Sequence, residues 1–180
     1  MSAFLAGVLI GIGDVALVTN DKLVGAVLFS VALLSIIELR LPLYTGRIGK
    51  VLTNRNPAEL LLILCLNAFG TLAVTAGYLI AYPGSGERFR EIGEAKYSKP
   101  LLTLFVAGIL CNVLIHVAVS ARKELITVLC IAAFILCGFE HSVADAGYLP
   151  FGGSLLRWLV IVAGNTVGGI GTELLLKEKI

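Results

Sequence analysis

The sequence predicts an all-α membrane protein of six spans, with the second and fifth broken. Three observations carry that prediction. Of 180 residues, 58% are hydrophobic and 14% charged, with a mean hydropathy of +0.96, which lies outside the range of soluble domains. Six apolar stretches come close to the roughly 20 residues that cross a ~30 Å hydrocarbon core. Two of them are interrupted, and irregular backbone at membrane depth is tolerated where protein buries it or where it lines a cavity.

Ala3 to Thr19 is the first span, apolar except for Asp14 and carrying Gly7, Gly11 and Gly13. It lacks a basic flank and a cleavage site, so it reads as a retained span and not as a leader. Leu23 to Leu39 is the second. It runs into Glu38, Arg40 and Pro42, then resumes as Leu43-Tyr44-Thr45-Gly46. Ala58 to Tyr82 is an unbroken third span, and a charged loop from Pro83 to Pro100 follows it. Leu101 to Ala121 is the fourth. The fifth, Leu125 to Cys137, stops at Gly138 and resumes through Val143, and Leu155 to Leu176 is the sixth. Asn67 with Gly70 in the third span, and Asn165 with Gly168 in the sixth, give the halves a weak internal repeat. At helical spacing, Gly permits close backbone approach and Asn can bond an irregular segment. Paired interruptions in two such halves point to a binding site at their interface.

Loop charges set an orientation. Arg47, Lys50, Arg55, Arg122, Lys123, Lys177 and Lys179 mark the cytoplasmic side, which places both termini inside. The 83–100 loop mixes Glu87, Glu91 and Glu94 with Arg88, Arg90, Lys96 and Lys99 and fits the outer face. A net charge of +2 without a basic run gives no indication of a nucleic-acid partner. The four cysteines sit singly in apolar runs, and the two histidines are not at metal-ligand spacing. Neither a phosphate-binding Gly-rich loop nor a nucleophile elbow is present, so the chain reads as a non-enzyme with neither cofactor nor metal.

Chemistry is concentrated in Gly138-Phe139-Glu140-His141-Ser142-Val143-Ala144-Asp145. A charge at mid-membrane costs ~2.5–3.5 kcal/mol on insertion scales, so ionisable groups there usually face a pathway. The alternative is a helix break whose polar groups only satisfy one another. His116, on an otherwise apolar helix face, reads as a satisfied packing histidine. Asp14, Glu38 and Arg40 need partners; an Arg40 ion pair or an interfacial position would serve.

The Gly138–Ala144 stretch, Ile109-Leu110-Cys111-Asn112 and Gly164-Asn165-Thr166-Val167-Gly168-Gly169 together resemble the formate/nitrite transporter family. Lys22-Leu23-Val24-Gly25 and Leu43-Tyr44-Thr45-Gly46 extend the likeness to the first half, so it covers nearly the whole chain. The resemblance implies one channel domain over 1–180, with inverted repeats of about 1–82 and 97–180 in an aquaporin-like 3+3 arrangement. It also implies a homopentamer in the inner or plasma membrane, each protomer holding its own pore for a small monovalent anion. By position, His141 resembles the central pore histidine and Thr45 the hydroxyl opposite it. Lys96, Asn112 and Glu140 match a polar network beside the histidine, and Asn165 matches the family's GN element, with Asn67 its counterpart by repeat. Leu33, Leu43 and Phe29 correspond to apolar constriction residues on the cytoplasmic side, and Phe139 to one on the outer side. The chain departs from the family in having Asp145 where Asn is usual, in Arg40-Leu41-Pro42 ahead of the first break, and in being shorter than typical members. Gating by an amphipathic N-terminal helix is accordingly not expected.

Moving a carboxylate-sized charge into a low-dielectric medium has a Born cost of order 20 kcal/mol before relaxation, so an anion does not cross apolar constrictions cheaply. A neutral acid can. Lys96 would concentrate the anion, and His141 would protonate it or give it a strong hydrogen bond. Formate is the first expected substrate; nitrite, hydrosulfide or a small neutral solute are the alternatives.

Overall fold

The computed structural model describes residues 1–54 and 56–178; Arg55 and Lys179, assigned above to the inner side, lie outside them. Every regular element among the described residues is helical. Four helices are long and apolar enough to cross a membrane: α1 (Ser2–Thr19), α5 (Pro57–Ala81), α7 (Leu101–Ala121) and α10 (Leu155–Lys177). Two apolar helices are shorter. They are α2 (Lys22–Glu38), followed by α3 (Tyr44–Arg47) and α4 (Val51–Asn54), and α8 (Glu124–Leu136), followed by α9 (Ser142–Ala146).

Local chemistry sets several starts. Asp21 caps α2 by accepting from the Leu23 and Val24 amides at 3.0 and 3.1 Å, Asn56 caps α5 ahead of Pro57, and Ser154 caps α10 through Arg157. The ends of α2 and α8 are alike. The Arg40 amide donates to the Ile37 carbonyl (3.1 Å) and the Leu41 amide to Ile36 (2.9 Å); the Gly138 amide donates to Ile135 (3.1 Å) and Phe139 to Phe134 (2.9 Å). Arg40 (φ 53°) and Gly138 (φ 72°) take the left-handed conformation that this double bond requires. Each helix thus stops in the same Schellman turn, and the chain runs non-helically for a few residues before α3 or α9 begins.

Helix α1 packs on α5, α7 on α10, and α2 on α8. Small residues let the first two pairs approach closely, since a Cβ at Gly7 would run into the Asn67 carbonyl and one at Gly108 would lie 2.9 Å from the Ile161 carbonyl oxygen.

One expectation is corrected here. The segment read as a loop from Pro83 to Pro100 contains a helix, α6 (Gly86–Tyr97). Its buried Phe89, Gly93 and Tyr97 recur every four residues, a helical stripe hidden among many charges. His116 is a packing histidine with a partner, as expected: Glu173 of α10 reaches its Nε2 at 2.8 Å. That contact comes from another helix, which sequence spacing along α7 does not display. Arg40 forms no ion pair among the described residues and is exposed, as is Glu38.

Candidate functional site

Two buried asparagines hold the segments that follow α2 and α8 in the same way. The Asn67 side-chain oxygen accepts from the Tyr44 amide (2.8 Å), while its NH₂ donates to the Ala3 (2.7 Å) and Pro42 (3.1 Å) carbonyls. The Asn165 oxygen accepts from the Ser142 amide (2.8 Å), and its NH₂ donates to Gly108 (2.8 Å) and Glu140 (2.9 Å). Backbone groups freed where the helices stop must find partners when water is excluded, and one primary amide can satisfy both a donor and acceptors. The segments before α3 and α9 are thereby fixed in place.

Those segments bring Thr45 and His141 together. Thr45 Oγ1 and His141 Nε2 are 2.9 Å apart, and both residues are buried. His141 Nδ1 accepts the Ala144 amide at 3.1 Å, capping α9. An accepting Nδ1 leaves the ring proton on Nε2, so this geometry assigns a neutral imidazole that donates to Thr45. Phe134 stacks on the ring (centroids 5.9 Å apart), and Phe29 meets Phe134 edge-on.

Beside the histidine lies a buried ionic cluster. Lys96 Nζ is 2.7 Å from Glu140 Oε2 and 2.8 Å from Asp145 Oδ1, and Lys99 bonds the other oxygen of Glu140. Burial alone would lower the Lys96 pKa, but Asp145 and Glu140 more than offset it and hold the ammonium above its usual value. It stays charged. Tyr97 donates to the Asp145 carbonyl (2.7 Å), tying the end of α6 to the α9 segment, and Arg157 of α10 donates to the Lys99 carbonyl (2.7 Å) just after α6. A cavity of about 240 Å³ leads to His141. Its charged wall has four basic side chains, Lys22, Arg88, Lys96 and Lys99, against two acidic ones, Asp14 and Asp145, and the rest is largely apolar. Glu140, behind that wall, offsets one of the positive charges, and the surplus that remains raises the local concentration of anions.

The model of the formate/nitrite transporter family matches residues 1–177. The chain belongs to this family. Among curated relatives, it is 26% identical to the nitrite transporter NirC of Salmonella typhimurium, over 94% of this chain and 78% of that protein. It is 27% identical to the formate channel FocA of Haemophilus influenzae, over 73% of this chain and 54% of that one. In fold it is similar to an FNT family ion channel (TM-score 0.85, 24% identity, 99% and 88% of the two chains). It is also similar to a pentameric formate channel with formate bound (TM-score 0.84, 21% identity, 100% and 96%). The chain is therefore a membrane transport protein of the formate/nitrite class and not an enzyme.

Within this family member, the residues singled out from the sequence divide into two groups. Thr45, Lys96, Glu140 and His141 meet at or beside the cavity, and Asn165 braces them from behind. Asn112 stands apart from the ionic cluster, its NH₂ donating to the Asn165 carbonyl at 2.7 Å. Phe29 and Phe139 line the cavity, whereas Leu33 and Leu43 are buried outside its lining. Asp145 is marked in the sequence as a departure from the family beside the histidine, but Lys99 is passed over as a member of the site. Lys99 lies two residues beyond the end of α6, so helical spacing from Lys96 gives no signal for it.

Proposed function

We propose that this chain is a channel for small monovalent weak-acid anions, formate first, whose path runs through the cavity to His141 and Thr45. Supporting it is one observation: a neutral imidazole, oriented by its own backbone cap, points its Nε2 proton at a hydroxyl at the end of a cavity with a basic surplus. A donor so placed gives an anion or acid a hydrogen bond where water is scarce. Removing the Nε2 proton would leave an imidazolate, so the neutral ring acts as a hydrogen-bond donor; transferring a proton requires Nδ1 to be protonated and its bond to Ala144 to break. Lys96 and Lys99 neutralise Glu140 and Asp145 and bring the anion in, while Phe29, Leu33, Leu43 and Phe139 form the apolar restrictions.

The scaffold proposed is six spans in an inverted 3+3 repeat. Helix α2 with α3, and α8 with α9, are the two broken spans, supported by their matched Schellman ends and matched asparagine braces. Both termini face the cytoplasm in the inner membrane, and the functional unit is a homopentamer, a reading supported by the pentameric structural neighbour. Nitrite is the second reading, favoured because the NirC relative covers more of the chain than FocA does. Purified protein in liposomes, assayed for formate, nitrite and hydrosulfide uptake beside His141→Phe, tests both. Saturable formate uptake lost in the variant is the expected result. Uptake of uncharged solutes alone, or formate flux indifferent to His141, would overturn the proposal.

A further inference from the structure

We propose that Asp14 is a proton-binding site whose occupancy sets the charge of the cavity through which the anion enters. The inference rests on the anion-channel reading for its use, but not for its existence. Three carboxyls, Asp14, Glu140 and Asp145, are each at most 1% exposed around this cavity. Two ammonium groups serve them: Lys99 and Lys96 hold Glu140, and Lys96 also holds Asp145. Asp14 belongs to none of the ion pairs among the described residues, and its Oδ2 is a buried oxygen without a hydrogen-bond partner. An ionised carboxylate left alone in a low-dielectric interior costs several kcal/mol, and binding a proton removes that cost.

Neighbouring hydroxyls fit a carboxylic acid. Thr75 Oγ1 of α5 and the Tyr148 hydroxyl are buried and likewise without partners. Thr75 Oγ1 and Asp14 Oδ2 lie 2.9 and 3.2 Å from the point where a Cβ at Gly147 would sit, so the glycine keeps that space open. Hydroxyl oxygens can accept from an acid O–H, as a protonated Asp14 requires. The ionisable groups that surround it are few. Asp145 and Tyr148 come from the α9 segment, Lys96 and Arg88 from α6, and Lys22 from α2; Lys99 and His141 complete the cavity wall, with Glu140 behind it. Lys22 and Arg88 are already engaged, with the Leu136 carbonyl and with Glu91. A monovalent cation fits less well than a proton, because Lys96 already stands against Asp145.

The sign follows from charge. With the proton bound, four basic groups stand against two ionised carboxylates, Asp145 and Glu140, and the cavity attracts anions; as pH rises and Asp14 ionises, the attraction weakens. Asp14→Asn fixes the protonated charge. In proteoliposomes, formate uptake by the wild type should fall more steeply from about pH 5 to about pH 8 than uptake by Asp14→Asn, by about fivefold in the ratio of the two ends. Formate's own protonation affects both proteins equally. Infrared difference spectra of the wild type should contain a protonated-carboxylic-acid band that moves on ¹³C-aspartate labelling, is lost in Asp14→Asn and persists in Asp145→Asn. Where Asp14→Asn does not fold, the labelled wild type and Asp145→Asn decide. Superimposable pH profiles, absence of the band, or its loss when sodium chloride replaces choline chloride would each overturn the proposal. Absence of anion flux in the wild type with the band present would instead refute the channel reading and leave the proton site standing.

Discussion

At the scale of single residues, the two ends of the His141 ring do different work, and variants can separate them. Nδ1 caps α9 through Ala144, and Nε2 faces Thr45. His141→Gln keeps an amide donor near the Nε2 position but cannot accept and release a proton. Retention of measurable formate uptake in His141→Gln, with at least a tenfold loss in His141→Phe, is the outcome expected of a hydrogen-bond donor. Equal loss in both would make proton exchange at the ring necessary. Lys96 allows a second test, because it touches two carboxylates that are otherwise buried. Lys96→Met should destabilise the folded protein by about 3–5 kcal/mol, the cost of breaking a buried pair and leaving a charge behind. Adding Asp145→Asn removes that stranded charge and should recover part of the loss. Thermal unfolding in detergent measures both, and a double variant no better than the single one would show that Asp145 does not depend on Lys96.

At the scale of elements, the turns that end α2 and α8 decide where Thr45 and His141 stand, and Arg40 is their strained point. A non-glycine residue in the left-handed region costs roughly 1–2 kcal/mol, and the equivalent turn after α8 uses Gly138. Arg40→Gly should therefore stabilise the protein by about 0.5–1 kcal/mol once the greater freedom of glycine in the unfolded chain is counted. A lower melting temperature in that variant would mean that the Arg40 side chain contributes more than its backbone costs. Replacing Asn165 with Leu should be far worse, because three backbone groups lose their bonds together at about 1–3 kcal/mol each. How much of this was legible follows from the same residues. The interruptions at Arg40 and Gly138 and the Asn–Gly echo were plain in the sequence, because helix-stopping and small residues stand out in apolar text. The α6 helix was not, since its three-residue apolar stripe is outnumbered by charges. Nor was the clasp of His116 with Glu173, nor the isolation of Asp14, because each is decided by which helix lies opposite.

At the scale of the whole molecule, the proposed pathway is built within one chain. Thr45 comes from the first half of the sequence and His141 from the second, and Lys96 and Lys99 come from the α6 segment that joins the halves. Large apolar side chains such as Leu62, Phe69, Leu102 and Leu156 instead lie exposed on the outside of the helices, the surface that the proposed membrane assembly turns to lipid or to other copies of the chain. In the proposed homopentamer, assembly multiplies the pathway without sharing it. In a pentamer mixed from wild-type and His141→Phe protomers, formate flux should fall in direct proportion to the variant fraction, because each intact protomer still conducts. A single passage on the central axis behaves differently, since one altered copy would disturb all the traffic and flux would drop steeply at low variant fractions. Co-expression with two affinity tags, purification of the mixed assemblies and flux measurement across a series of ratios tells these apart. The linear dependence is the expected result, and a steep one would move the conducting path out of the protomer and onto the axis between copies.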